Sequence, residues 1–178
     1  MAFSINEFKS QLVGGGARQA LFQVQITNPI IGVADFKIPF MVKAASLPSS
    51  TVGAFQVPYF GRMVKYAGDR QFEAWTVNVI NDEDFAVRNA MEGWSNAINS
   101  HITNFRTAPR NYKAQAQITQ FGKDGTVLRT YTFEGLFPTQ ISDIGMAWET
   151  QDTIEEFSVT FDYDLWRVSG GTTGNPTN

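Results

Sequence analysis

Residues 112–134 read YKAQAQITQFGKDGTVLRTYTFE. Ala114, Ala116 and Ile118 alternate with Lys113, Gln115, Gln117 and Thr119, the period of two that a half-buried strand requires. Gly122-Lys123-Asp124-Gly125 follows, and Asp-Gly in a short polar turn accepts the left-handed backbone of a tight hairpin. The stretch predicts two antiparallel strands, 112–121 and 126–134, and makes sheet the organising element of the fold.

Working outward, Gly135-Leu136-Phe137-Pro138 closes the pair, and a short strand is expected near 140–144. A last strand spans about 153–166. Phe157, Val159, Phe161, Tyr163 and Leu165 share one face, and Ser158, Thr160, Asp162, Asp164 and Trp166 the other. Upstream, residues 83–100 predict the one long helix. Val87, Met91, Trp94 and Ile98 line one face, Asn81 or Asp82 caps it, and the acids Asp82, Glu83 and Asp84 suit the positive end of its dipole. Residues 62–67 and 72–79 read as a strand pair joined by a turn at Gly68-Asp69-Arg70-Gln71. Strand 72–79 carries large groups on both faces and belongs in the middle of a sheet. Strand 36–42 contains Pro39, which donates no ladder hydrogen bond and places it at an edge or a bulge. Strand 21–27 alternates Phe22, Val24 and Ile26 with polar residues.

Three segments stand outside this pattern. Residues 1–18 form an N-terminal arm, with Phe3, Ile5, Phe8 and Leu12 as an apolar stripe that Gly14-Gly15-Gly16 terminates. The stripe docks either on its own domain or on a neighbouring copy. Residues 45–61 have two prolines, two glycines and several aromatics, a long loop or protruding hairpin with its tip near 52–56. Residues 168–178, rich in Gly, Thr and Asn, read as a flexible tail. The body, 19–167, is then mainly β: a β-sandwich or barrel with one flanking α-helix and a long protruding loop.

Composition narrows the chemistry. Fifteen Phe, five Tyr and four Trp among 178 residues favour pleated sheet. A net charge of -3 argues against a general nucleic-acid binder. No cysteine means no disulfide and no thiolate metal site. The start MAFSINEFKSQL lacks the pattern of a signal peptide, and no apolar run is long enough for a membrane helix. His101 is the single histidine and has no nucleophile motif near it. The glycine triplet lacks the Gly-Lys-Ser/Thr ending of a phosphate loop. Asp82, Glu83 and Asp84 are consecutive, unlike the alternate positions of a calcium loop. No catalytic, cofactor or metal residue is assigned, and no enzyme is expected.

Charge is distributed unevenly. Between residues 36 and 70 the basic residues are Lys37, Lys43, Arg62, Lys65 and Arg70, and the only acid is Asp69. Between residues 143 and 166 there are seven acids and no Lys or Arg. A basic aromatic loop and an acidic strand region form a candidate head-to-tail pair, in which Phe55, Val57, Tyr59 and Phe60 supply affinity and Arg62, Lys65 and Arg70 supply register. The alternative is a loop folded over its own domain.

The order and spacing of several blocks then add a resemblance. They are Leu21-Phe22-Gln23-Val24, Lys43-Ala44-Ala45-Ser46-Leu47-Pro48, Ala67-Gly68-Asp69-Arg70-Gln71-Phe72-Glu73-Ala74-Trp75-Thr76-Val77, Asn81-Asp82-Glu83, Glu134-Gly135-Leu136-Phe137-Pro138-Thr139 and Glu155-Glu156-Phe157-Ser158-Val159-Thr160. Together they resemble the tail tube proteins of T4-like contractile-tailed bacteriophages, from about residue 20 to 166. The arm matches poorly, and the tail runs past the end of the pattern. The resemblance implies six-membered rings that stack into a tube inside a contractile sheath, begun on baseplate hub or initiator proteins. It further implies a tape measure protein within, a tail terminator, and DNA passing only in transit. The location implied is the virion tail, with assembly in the host bacterial cytoplasm. The aromatic and basic residues of 45–70 are then inter-ring contacts, and Asp162 and Asp164 face the lumen. The tube of a related contractile injection system and a monomeric ligand-binding β-barrel are the alternatives.

Overall fold

The computed structural model describes residues 4–170. In chain order the elements are α1 (Ile5–Gln11), β1 (Phe22–Ile26), α2 (Ile38–Met41), β2 (Val42–Ala45), β3 (Ser50–Tyr59), β4 (Arg62–Phe72), β5 (Trp75–Ile80), α3 (Ala86–Ile98), α4 (Pro109–Tyr112), β6 (Ala114–Phe121), β7 (Val127–Ile141), β8 (Glu156–Asp162) and β9 (Leu165–Ser169). Seven strands form one antiparallel sheet in the order β1-β6-β7-β8-β5-β2, with β9 paired to β7, and β3 and β4 form a separate two-stranded ribbon.

The sheet bends into a barrel-like sandwich because β7 is long enough to serve both halves. Its first part pairs with β6 and β9, and its second part pairs with β8. Gly135 marks the corner with φ 71°, and a Cβ there would collide with the Asp164 carboxylate, so the bend needs glycine. The expected strand 153–166 therefore divides at Tyr163-Asp164 into β8 and β9, and Asp164 N donates to Glu134 O across the corner at 3.0 Å. Likewise Gly135–Pro138 carries β7 through the corner and does not close it, and the strand expected at 140–144 is its far end. β9 runs to Ser169 with Val168 buried, two residues past the expected domain end. Residues 171–178 of the expected tail, and Phe3 of the arm, lie outside the described residues.

Two inner faces meet in an aromatic core. Trp75 stacks on Phe133 at 4.4 Å, Phe133 meets Tyr163 edge-on at 5.0 Å, and Trp75 and Trp94 both lean on Phe161. β5 and β8 alternate, with Trp75, Val77, Val79, Phe157, Val159 and Phe161 inward. β5 pairs with β8 and β2 and not with the expected strand 62–67, and only one of its faces is buried.

Helix α3 covers this core with Val87, Ala90, Met91 and Trp94. It is tied down at three places. Asn28 Nδ2 donates to Ala90 O, Trp94 Nε1 to Tyr112 O, and Arg88 Nη1 to Ser142 O. The helix begins three residues later than expected. Asp84 caps Ala86 N at 3.0 Å, whereas Asn81 is buried and bonds Glu155. Lys37 bridges Asp82 and Asp84, and that hydrogen bond holds the Asp84 carboxyl below the usual range.

The expected strand 36–42 is largely the single turn α2, followed by the short β2. Pro39 sits in the first turn of that helix, where its missing N–H has no partner to lose. Pro39 signals an edge strand and a helix start equally, so its presence did not discriminate.

Candidate assembly interface

The conspicuous surface is the β3–β4 ribbon. Its strands pair in nine registered positions from Ser50↔Phe72 to Tyr59↔Arg62. At ~3.3 Å per residue the ribbon reaches about 30 Å, and neither of its faces is covered by the rest of the subunit. Residues 45–61, expected as loop or hairpin, are thus half of an arm whose other half is β4. Gly68-Asp69-Arg70-Gln71 lies inside β4 and is not a turn. The register slips there because Gly53 opposes Gly68 and Asp69, and a Cβ on Gly68 would sit 3.4 Å from the Gly53 carbonyl.

The apex is Tyr59-Phe60-Gly61-Arg62, not residues 52–56. Phe60 (φ 46°) and Gly61 (φ 78°) are both left-handed, as the primed two-residue hairpin turn demands. Gly61 adopts this freely. For Phe60 it costs on the order of 1 kcal/mol or more, yet its ring is 90% exposed and meets the Tyr59 ring edge-on at 4.7 Å. A strained aromatic displayed at an exposed tip is a feature of recognition sites more than of self-contained folds.

Along the arm, one face carries Phe55 opposite Tyr66, Val57 opposite Val64, and Tyr59 opposite Arg62. Phe55 and Tyr66 stack at 5.6 Å and remain half exposed. Lys65 projects from the other face beside Gln56, and Arg70 lies near the base, its Nη1 donating to Ser50 Oγ. Of the expected contact residues, Phe55, Val57, Tyr59 and Arg62 therefore share a face, Phe60 forms the tip, and Lys65 and Arg70 stand apart. Val64 and Tyr66 belong to the apolar face but were absent from the expectation. Recognising Phe60-Gly61 as the turn would have paired them with Val57 and Phe55.

The base is held firmly. Trp75 Nε1 donates to Ser46 O at 2.8 Å, and the Phe72 ring meets Tyr163 at 5.9 Å. Burial, followed by the charges of Asp162 and Glu73, pushes the Tyr163 phenol above its ordinary value.

Asp162 and Asp164 prove to lie on either side of the barrel corner. Asp162 ends β8, solvent-exposed, in register with Phe137. Asp164 is held by Lys113 Nζ at 2.6 and 2.7 Å, so its charge is locally balanced. Apolar exposure continues elsewhere. Ile5, Phe8 and Leu12 of the N-terminal segment face solvent, as does Trp148 in the loop between β7 and β8. Among the described residues no group of three or more His, Asp or Glu is arranged to hold a metal ion.

A barrel whose dominant feature is a long, uncovered arm with an apolar face defines a class of subunit built around its surface and not around a pocket. The family model for phage tail tube proteins matches residues 8–169, and the chain belongs to that family. It is 33% identical over 157 residues to tail tube protein gp19 of Enterobacteria phage T4, covering 86% of this chain and 92% of that one. It is 25% identical over 166 residues to the tail tube protein of Serratia phage KSP90, covering 90% and 94%. The fold is also similar to a chain in the tube-terminating cap of the anti-feeding prophage, with TM-score 0.65, 20% identity and coverage of 86% and 91%. A chain of the sheath–tube complex of the PVC extracellular contractile injection system gives TM-score 0.59, 18% identity and coverage of 95% and 99%.

Proposed function

We propose that copies of this chain close into six-membered rings that stack into the inner tube of a phage tail, the conduit for DNA at ejection. The observation that carries the reading is the β3–β4 arm. An isolated two-stranded ribbon is marginal in water, and this one exposes an apolar face along its length. A neighbouring copy would cover that face. A heterologous contact of this kind repeats without closing along the stacking direction. The role is structural, with no reaction to catalyse. The partners that go with it are a contractile sheath, baseplate initiator proteins, a tape measure protein and a tail terminator, with assembly in the host cytoplasm. Such a reading is supported by the family and by the similarity to a chain solved within a sheath–tube complex. A contractile injection system that exports effectors is the second reading. The 33% identity to a phage protein, against 14–20% to the injection-system chains, favours the phage.

Negative-stain electron microscopy of the purified protein at high concentration, with and without baseplates, tests this. Hollow tubes of uniform diameter are expected, at least on baseplates. A protein that stays monomeric on baseplates refutes the reading.

In such a tube an acidic lumen limits DNA adhesion, since attraction to phosphate would retard passage. Asp162 is the stronger of the two lumen candidates because Lys113 balances Asp164. Asp162→Asn is expected to slow ejection at low salt and to have little effect at high salt, where exposed charges are screened. Identical ejection rates at all salt concentrations would remove Asp162 from the lumen.

A further inference from the structure

We propose that the cleft beneath the loop joining β7 to β8 receives the arm tip of a second copy of this chain. The inference deepens the tube reading and rests on it. Strand β5 supplies the geometry. At one end, Trp75 follows directly on the base of the arm at Phe72. At the other, Ile80 pairs with Glu156, where the loop of residues 142–155 rejoins the sheet. Arm and loop therefore leave opposite ends of the same six-residue strand. A shift of one copy along that strand direction carries its arm toward the loop of the next.

The chemistry of the two ends is complementary. The loop encloses a cleft of about 610 Å³ with Ile144, Met146 and Ile154 among its apolar walls. Met146 is 80% and Ile154 66% exposed, so these walls lack an occupant in the subunit. Residues 142–155 carry Asp143, Glu149, Asp152 and Glu155 and no Lys or Arg. Residues 50–72 carry Arg62, Lys65 and Arg70 against Asp69 alone. Of the other acids in that region, Glu156 pairs with Lys43, Asp164 pairs with Lys113, and Asp162 lies at the far end of β8 from the loop. Glu155 bonds the Asn81 side chain. That leaves the loop acids Asp143, Glu149 and Asp152 for an incoming Arg62 and Lys65. An aromatic tip packing on Ile144, Met146 and Ile154 in a mixed cleft ringed by opposite charge combines the two features of a binding hot spot, a buried anchor and a charged rim.

The chain has no cysteine, so Met63→Cys with Ala147→Cys adds the only thiols, one beside the tip and one in the cleft wall. In tubes, a short bismaleimide is expected to give a ladder of covalent dimers, trimers and longer chains, because every copy both offers an arm and receives one. Met63→Cys with Ile102→Cys should give none. Tubes that show no ladder overturn the docking site and leave the tube reading intact. Wild-type protein that forms no tubes on baseplates overturns both.

Charge exchange gives a second test if the cysteine pair impairs assembly. Arg62→Glu with Lys65→Glu, or Glu149→Lys with Asp152→Lys, is expected to raise the concentration needed for assembly about tenfold or more. All four changes together should restore it to within about threefold. Failure of the fourfold variant to recover, where wild type assembles, overturns the site.

Discussion

Phe60→Asn is expected to leave the subunit fully folded and to suppress tube growth. Asn-Gly is the preferred pair for a turn with two left-handed residues, so the change keeps the ribbon and relieves the backbone strain at position 60. The melting temperature should stay the same or rise slightly. What is lost is the exposed aromatic at the apex. A central aromatic anchor contributes about 2 kcal/mol or more to an interface, which corresponds to about thirtyfold in the concentration required for growth. In the proposed tube every stacking contact would use the same residue, so the effect would repeat at each added copy. Thermal melting beside electron microscopy separates the two properties. A folded Phe60→Asn protein that makes tubes at the wild-type concentration would show that the tip is not an anchor.

The second large effect concerns the fold. Trp94 is fully buried, leans on Phe161, and donates its indole N–H to Tyr112 O at 2.8 Å. Trp94→Ala removes the largest side chain of the α3 face and leaves a partly buried carbonyl without its indole donor. Such a truncation costs about 3–5 kcal/mol, a large share of the ~5–15 kcal/mol that holds a typical domain together. Trp94→Phe keeps most of the burial and loses the hydrogen bond, for about 1–3 kcal/mol. Urea unfolding followed by circular dichroism should place the midpoints in the order wild type, Trp94→Phe, Trp94→Ala. A loss below about 1 kcal/mol for Trp94→Ala would mean that α3 rests on the barrel without stabilising it.

Those parts of the fold that local rules govern were legible. The 112–134 hairpin announces itself through alternation and Asp-Gly, and the core face of strand 72–79 through Trp75, Val77 and Val79. Its other face, expected to be large as well, is exposed at Thr76 and Asn78, and Phe72 belongs to β4. The corner was not legible. Alternation continues through Tyr163 and Asp164 as though the strand were straight, and the bend exists because β7 turns at Gly135 against Asp164. Only the strand partner reveals that. Gly68-Asp69 has the composition of a turn, yet opposite Gly53 it becomes a bulge, again a property of pairing.

The candidate site was legible in composition and blurred in geometry. The aromatic and basic character of 55–70 is plain in the sequence. Which residues share a face depends on where the apex falls, and that rests on the positive φ at Phe60 and Gly61. The acid-rich segment read as one face of a strand. In the structure several of its carboxylates are spent on Lys43, Asn81 and Lys113, which leaves the loop acids and, at the far end of β8, Asp162.

The like charge of the arm has a bearing on subunits before they assemble. Two free subunits meeting arm to arm could zip their ribbons edge to edge into a symmetric dimer, a dead end that removes both from the growing pool. Arg62, Lys65 and Arg70 oppose this pairing, since each encounter would bring six cations together, three from each copy. Pro58 withholds one ladder donor on the other strand of the ribbon, β3. In the proposed tube the residues that favour the productive encounter would thus also penalise the unproductive one, and the stock of free subunits would stay available for elongation.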